Sequence, residues 1–177
     1  IILDSIFYDD FPSVGPDEDF RDIDFDKYPA GKLKRSLIDL KDKRSKLLSI
    51  SDQTCEFAVV NPNFLGIKSN FSWMACTERK TGNAPLQAIK KINLETKEEL
   101  FWSAAPKGFV SEPIMVPKEG SEHEDEGYLL ILIWNGSRRG SDLIILNSST
   151  LEELATYELP INIPHGLHGS WANEKLT

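Results

Sequence analysis

Cysteine is scarce in this sequence: Cys55 and Cys76 are the only two among 177 residues. They are too few for a disulfide framework and too far apart for a cysteine metal knuckle, so reduced thiols in a cytosolic chain are the expectation. Long apolar runs are missing as well. The longest, Tyr128 to Trp134, falls far short of the roughly 20 residues a membrane-crossing helix needs. Nothing at Ile1 resembles a signal peptide. Positive charge is in deficit, with 20 Lys+Arg against 28 Asp+Glu and a net charge of −8; without a basic face to displace counterions, nucleic acid is excluded as a partner. No Gly-rich phosphate loop, Ser-His-Asp order or CxxC motif occurs, and the enzyme classes built on them drop out.

What is present is enough core for one domain over residues 1–177, at 40% apolar residues with 11 Gly and 10 Pro as punctuation. Apolar residues alternate or cluster in short runs and almost never recur at helical spacing, which makes this an all-β chain. The runs predict strands at Ile1–Phe7, Leu33–Leu40, Lys46–Ser51, Cys55–Asn61, Phe71–Thr77, Leu86–Leu94, Glu98–Ser103, Glu112–Val116, Tyr128–Trp134, Asp142–Leu146, Leu151–Leu159 and Leu167–Trp171. Between the first two lies an acidic segment, residues 9–28. Its eight carboxylates against Arg21 and Lys27 give a net −6, and it reads as a solvated surface loop. It lacks the glycine and terminal glutamate of an EF-hand.

Repetition then decides the architecture. Ile92-Asn93-Leu94-Glu95-Thr96-Lys97-Glu98-Glu99-Leu100 aligns with Leu146-Asn147-Ser148-Ser149-Thr150-Leu151-Glu152-Glu153-Leu154 54 residues on, and Ile38-Asp39-Leu40 lies 54 residues upstream. A second series, Glu56, Glu112 and His168, recurs at 56 residues. A period of this size with about four strands per unit is that of a β-propeller blade, and Phe71–Thr77 and Tyr128–Trp134 become equivalent strands. The length supplies about three blades where propellers close with roughly 4 to 8. The expectation is a partial β-propeller, the C-terminal part of a larger one.

Three histidines are present. His123 sits in the charged stretch Ser121-Glu122-His123-Glu124-Asp125-Glu126 and reads as a solvated loop residue. His165 and His168 are three apart, and in an extended chain they point to opposite faces, so at most one meets a given metal. His168, in phase with the two glutamates, is either a ligand or a hydrogen-bonded core histidine. Glu56 and Glu112 each open an otherwise apolar strand, where a carboxylate must find a partner or neutralise. Spacing leaves open whether they cap strands or support a histidine at an axial metal.

Glu112-Pro113-Ile114-Met115-Val116-Pro117, the stretch Glu124-Asp125-Glu126-Gly127-Tyr128-Leu129-Leu130, Ser141-Asp142-Leu143-Ile144-Ile145-Leu146 and Pro164-His165-Gly166-Leu167-His168-Gly169-Ser170-Trp171 follow one another in the order and spacing of a known family. The chain resembles the C-terminal portion of the carotenoid cleavage oxygenases, with Cys55-Glu56-Phe57-Ala58-Val59-Val60-Asn61-Pro62 matching the preceding motif. Departures are Ala58-Val59 where the family commonly has Pro-Arg, Ser111 where glycine is usual, and His165 at a position more often aromatic or aliphatic.

The resemblance implies a seven-bladed propeller holding Fe(II) on its axis by four histidines backed by glutamates. His168 would be the last ligand, Glu112 its carboxylate partner, and Glu56 the partner of a histidine outside this chain. It implies O₂-dependent cleavage of a conjugated C=C bond in a carotenoid or apocarotenoid to carbonyl products. The partners would be the apolar polyene, O₂ and the remaining blades, in the cytoplasm or at a membrane periphery reached through segments absent here. Phe64, Phe71, Trp73, Phe101, Trp102, Phe109 and Trp134 are available to an apolar tunnel or to the core. With three ligand histidines expected upstream, these 177 residues alone should not catalyse. Competing readings are a retinoid isomerase-like member of the same family and a non-catalytic propeller that binds partners.

Overall fold

A computed structural model describes residues 1–10, 24, 29–79, 85–166 and 168–173. Twelve strands and one 3₁₀ turn, Pro62–Phe64, are present among these residues, with no α-helix and therefore no helix long and apolar enough to cross a membrane. The strands form three antiparallel sheets in chain order. The first runs β1 (Ile2–Phe7), β2 (Lys32–Asp39), β3 (Arg44–Ser49). The second runs β4 (Cys55–Val59), β5 (Phe71–Thr77), β6 (Leu86–Asn93), β7 (Glu99–Ser103). In the third, β10 (Gly127–Asn135), β11 (Gly140–Asn147) and β12 (Glu153–Glu158) lie side by side. Its other edge is shared by β8 (Gly108–Val110) and β9 (Ile114–Pro117), each pairing a different half of β10.

The 54-residue repeat has a hydrogen-bonded cause. Asp39, Asn93 and Asn147 each end a strand, and in each the side-chain Oδ1 accepts two backbone N–H groups of the following turn at 2.8–3.2 Å. Short Asx side chains close such turns because they reach their own backbone two residues on. Each turn then needs one left-handed residue: Lys43, Lys97 and Leu151, again 54 apart, have φ of 52°, 67° and 59°. Phe71–Thr77 and Tyr128–Trp134, expected to be equivalent, each lie beside the first edge of their sheet as β5 and β10.

The central strands of the middle sheet, β5 and β6, are buried on both faces, and period-2 alternation divides their side chains. Trp73, Ala75 and Ile89 face the third sheet and pack with Met115, Leu129, Ile131, Ile144 and Leu146. Met74, Cys76, Ala88 and Ile92 face the other way and pack with Leu33 and Ile50. Two lysines obey the same alternation. Lys90, fully buried, donates to Ser51 and Glu99 and reaches Gln53 at 3.3 Å. Lys91 pairs with Asp125 at 2.6 Å and donates to the Ser149 carbonyl at 2.9 Å. Cys55 and Cys76 are register partners across β4 and β5 and are free thiols; burial pushes the Cys76 thiol up to about 12.

Four expectations need correcting. Gly108–Val110 is a strand that three residues without alternation did not reveal. Glu112 precedes β9 rather than opening it. Residues 168–171 of the expected last strand are irregular, because the Gly169 N–H bonds a carboxylate instead of a neighbouring strand. The charged stretch around His123 is only partly solvated: His123 is exposed, yet Glu124 is buried. The acidic segment, apart from Asp9, Asp10 and Asp24, lies outside the described residues.

Glu124 joins the third sheet to the second. Its carboxylate accepts from the Ser69 hydroxyl, the Asn70 side chain and the backbone N–H groups of Asn70 and Phe71 at 2.7–3.0 Å. Truncation would strand those donors away from water, at about 1–3 kcal/mol for each group left unmade. Glu124→Ala is therefore expected to lower unfolding free energy by about 3 kcal/mol, measured by urea denaturation, while His123→Ala beside it changes little.

Candidate functional site

Both glutamates singled out by the sequence sit where an edge strand is interrupted. On the third sheet the edge passes from β8 to β9 through Ser111, Glu112 and Pro113. Ser111 returns to the sheet by giving its N–H and its hydroxyl to the Leu132 carbonyl, and Pro113, with no N–H to satisfy, is fully buried. The Glu112 side chain is thereby turned off the ladder. On the second sheet the interruption is a β-bulge: Glu56 pairs Ala75 but Val59 pairs Trp73, so three steps along β4 oppose two along β5. An extra residue bends the strand and re-aims its side chains.

Glu112 engages the chain's last histidine through both oxygens. Oε1 lies 3.4 Å from Nδ1 of His168, and Oε2 accepts the Gly169 N–H at 2.8 Å. The side chains differ in exposure, 16% for Glu112 and 76% for His168. The carboxylate is fixed from below while the imidazole projects outward. A carboxylate on Nδ1 fixes the tautomer with its proton there and leaves the Nε2 lone pair for a metal.

Glu56 has a different environment. Among the described residues the only group donating to its carboxylate is the Phe57 N–H at 3.3 Å, and burial raises its pKa above the ordinary carboxylate range. Phe57 brings β4 to the same place: its ring meets the His168 imidazole edge-on, centroids 5.9 Å apart and planes at 87°. Its backbone is left-handed, φ 55°, a conformation costing a non-glycine residue roughly 1–2 kcal/mol. Phe57 was not singled out by the sequence, since alternation carries no signal for a reversed φ.

His168 borders a cavity of about 330 Å³ with apolar walls from Ile114, Leu130, Trp134 and Leu143. His165 borders it too, so the two histidines share one cavity despite their spacing. His123 lies in the turn before β10 and takes no part in this cavity. Of the available aromatics, Trp134 reaches the cavity, while Trp73 is core with its indole N–H on the Ser148 carbonyl, and Phe71 and Trp102 pack against that core.

Among the described residues no three His, Cys, Asp or Glu side chains gather closely enough to hold a metal. One oriented imidazole is nonetheless the kind of donor that a multi-histidine centre takes, and His168 with Glu112 behind it fits that role as a single ligand.

Comparison with known proteins agrees with the motifs. The family described as retinal pigment epithelial membrane protein matches residues 1–173. The apocarotenoid-15,15'-oxygenase of Synechocystis is 43% identical over 174 residues, 97% of this chain and 36% of that protein. Carotenoid cleavage dioxygenase 8 of Arabidopsis thaliana is 34% identical over 113 residues, 63% of this chain and 19% of the relative. The solved structure of the cobalt-substituted Synechocystis apocarotenoid oxygenase superposes with a TM-score of 0.93 at 42% identity, covering 97% of this chain and 36% of that one. The chain thus spans little more than a third of the length of that apocarotenoid oxygenase and of that solved structure. With ordered motifs, matched sheets and these relatives in agreement, the chain belongs to the carotenoid cleavage oxygenase family.

Proposed function

We propose that this chain is the C-terminal part of an Fe(II)-dependent oxygenase that splits a conjugated C=C bond of a carotenoid or apocarotenoid. The observation that carries the reading is the Glu112–His168–Gly169 contact, which leaves an exposed imidazole oriented through Nδ1. The relatives are carotenoid and apocarotenoid oxygenases, and one of them has been solved with cobalt substituted into it. In this reading the three sheets are three blades of a seven-bladed propeller, and three further histidines come from the rest of the protein.

Iron bound there would activate O₂ toward the alkene. The C=C and O–O bonds break and two C=O bonds form, so the products account for both oxygen atoms without an external reductant. This chain's residues would do three things. His168 offers Nε2 as one ligand. Glu112 keeps the proton on Nδ1 and raises the basicity of the ring. Ile114, Leu130, Trp134 and Leu143 give the cavity beside His168 walls suited to an apolar polyene. Glu56 would accept the N–H of a second ligand histidine supplied by another blade.

In the full-length protein His168→Ala is expected to lose iron and turnover together. Glu112→Gln and Glu56→Gln should cost about 10 to 100-fold in iron affinity or activity, and His165→Phe and His123→Ala little. Iron content and product formation measured on the same preparations test the order; full activity of His168→Ala would remove it from the site. Iron titrated into the 177-residue chain alone should bind weakly, since one imidazole falls short of the three or four protein ligands of a tight site.

Glu56 also gives a stability prediction. A carboxyl whose pKa rises on folding holds its proton more tightly folded than unfolded. Its stabilising protonation is fully present below the unfolded value, about 4.3, and lost as pH rises through the folded one. In the 177-residue chain, Glu56→Gln should match wild type at acid pH and become the more stable of the two as pH climbs through that window. Urea midpoints across pH measure it, and a difference of opposite sign would mean that the carboxylate has found a cationic or donor partner.

A further inference from the structure

The His168 imidazole is held less completely than a metal ligand requires by Glu112 alone. One contact of 3.4 Å at Nδ1 fixes an atom but leaves the ring free to swivel about that axis, and the side chain is 76% exposed, so little else confines it. Among the described residues the ring's aromatic neighbour is Phe57, edge-on at 87°, an arrangement aromatic quadrupoles favour over stacking face to face. An edge-on neighbour resists the rotation that a single hydrogen bond permits.

Phe57 is presented by an unusual backbone. Among the described residues the other non-glycine residues with positive φ, Lys43, Lys97, Arg139 and Leu151, lie in the turns between paired strands; Phe57, φ 55°, lies inside a strand, at a bulge. A bulge with a left-handed first residue normally takes glycine there, and a bulky side chain in that region is an outlier that persists only where its surroundings over-determine it. Core packing does not demand the strain: Val59 in the same strand packs on the same cluster without a positive φ.

We propose that Phe57 is a positioning residue for His168, its ring held by the β4 bulge so that it fixes the plane in which Nε2 is offered. The inference rests on the reading of His168 as a metal ligand. It differs from the role of Glu112, which would set the tautomer, and from that of Glu56, which in the same reading would serve a histidine of another blade. Phe57 would act through orientation alone, without touching metal or substrate.

The test is Co(II) titration of the metal-free full-length protein, reading affinity and the visible ligand-field bands that report coordination geometry. Phe57→Leu and Phe57→Gly are expected to weaken Co(II) binding about 10-fold, the low end for groups that orient a ligand, and to alter the bands. Glycine accepts the positive φ, so this variant removes the ring while relieving the backbone. Phe57→Tyr should restore both readouts, and Val59→Ala should lower the melting temperature without changing either. Wild-type affinity and bands in Phe57→Leu and Phe57→Gly would overturn the proposal if His168→Ala still loses Co(II). Wild-type binding in His168→Ala would instead overturn the reading of His168 as a ligand, and this proposal with it.

Discussion

The two central strands of the middle sheet, β5 and β6, buried on both faces, are the constraint on which the rest of the structure depends. Strands β5 and β6 have no solvent side to which polar residues can be assigned, yet β6 carries Lys90 and Lys91 in succession. Alternation sends one ammonium to each face, so each neighbouring sheet must bring an answering set of oxygens. Ser51 and Gln53, in the link from β3 to β4, join Glu99 of the sheet's own β7 around Lys90, and Asp125 and the Ser149 carbonyl answer Lys91. A buried ammonium without partners costs several kcal/mol, more than apolar contact at one side chain returns. The lysines therefore specify how the sheets pair more than they add to stability. Glu124 makes the same demand in reverse, a carboxylate answered by Ser69, Asn70 and Phe71 at the entry to β5.

The site stands where this regularity stops. A continuous edge strand would commit its N–H and C=O groups to its neighbour and alternate its side chains between faces. The break at Ser111–Pro113 and the bulge after Glu56 interrupt the ladder, and at both points a carboxylate leaves the sheet. Around Glu112, a backbone N–H that a strand would have used, that of Gly169, becomes part of the site. Regular sheets place the groups approximately, and local irregularity sets their final direction.

The sequence discloses the regular part well. The Asx turns recur because the same residue type does the same hydrogen bonding at Asp39, Asn93 and Asn147, and most strand ends fall within a residue or two of their turn signals. A shared 56-residue phase and the motif resemblance link Glu112 and His168, and in the structure they touch. Phase alone misled about His168, which is not on a strand at all. Glu124 and Phe57 were not legible: a buried glutamate inside Glu-His-Glu-Asp-Glu looks like any solvated charge run, and a reversed φ leaves no trace in hydropathy.

The two kinds of connection between neighbouring strands differ in how much they vary. The Asx hairpins closing the outer strands span residues 40–43, 94–98 and 148–152, nearly constant in length. The corresponding connections at the opposite ends of those central strands span residues 8–31, 78–85 and 136–139, a sixfold range. Loop closure grows only slowly more costly with length, and none of the hairpin hydrogen bonds passes through this rim. The protein thus has a conserved-length end that maintains the repeat and a permissive end open to insertion. The acidic stretch of residues 9–28 falls in sequence within the longest of these connections, so the chain's charge can be rewritten there by lengthening or exchanging one connection while the turn chemistry at the other end stays untouched.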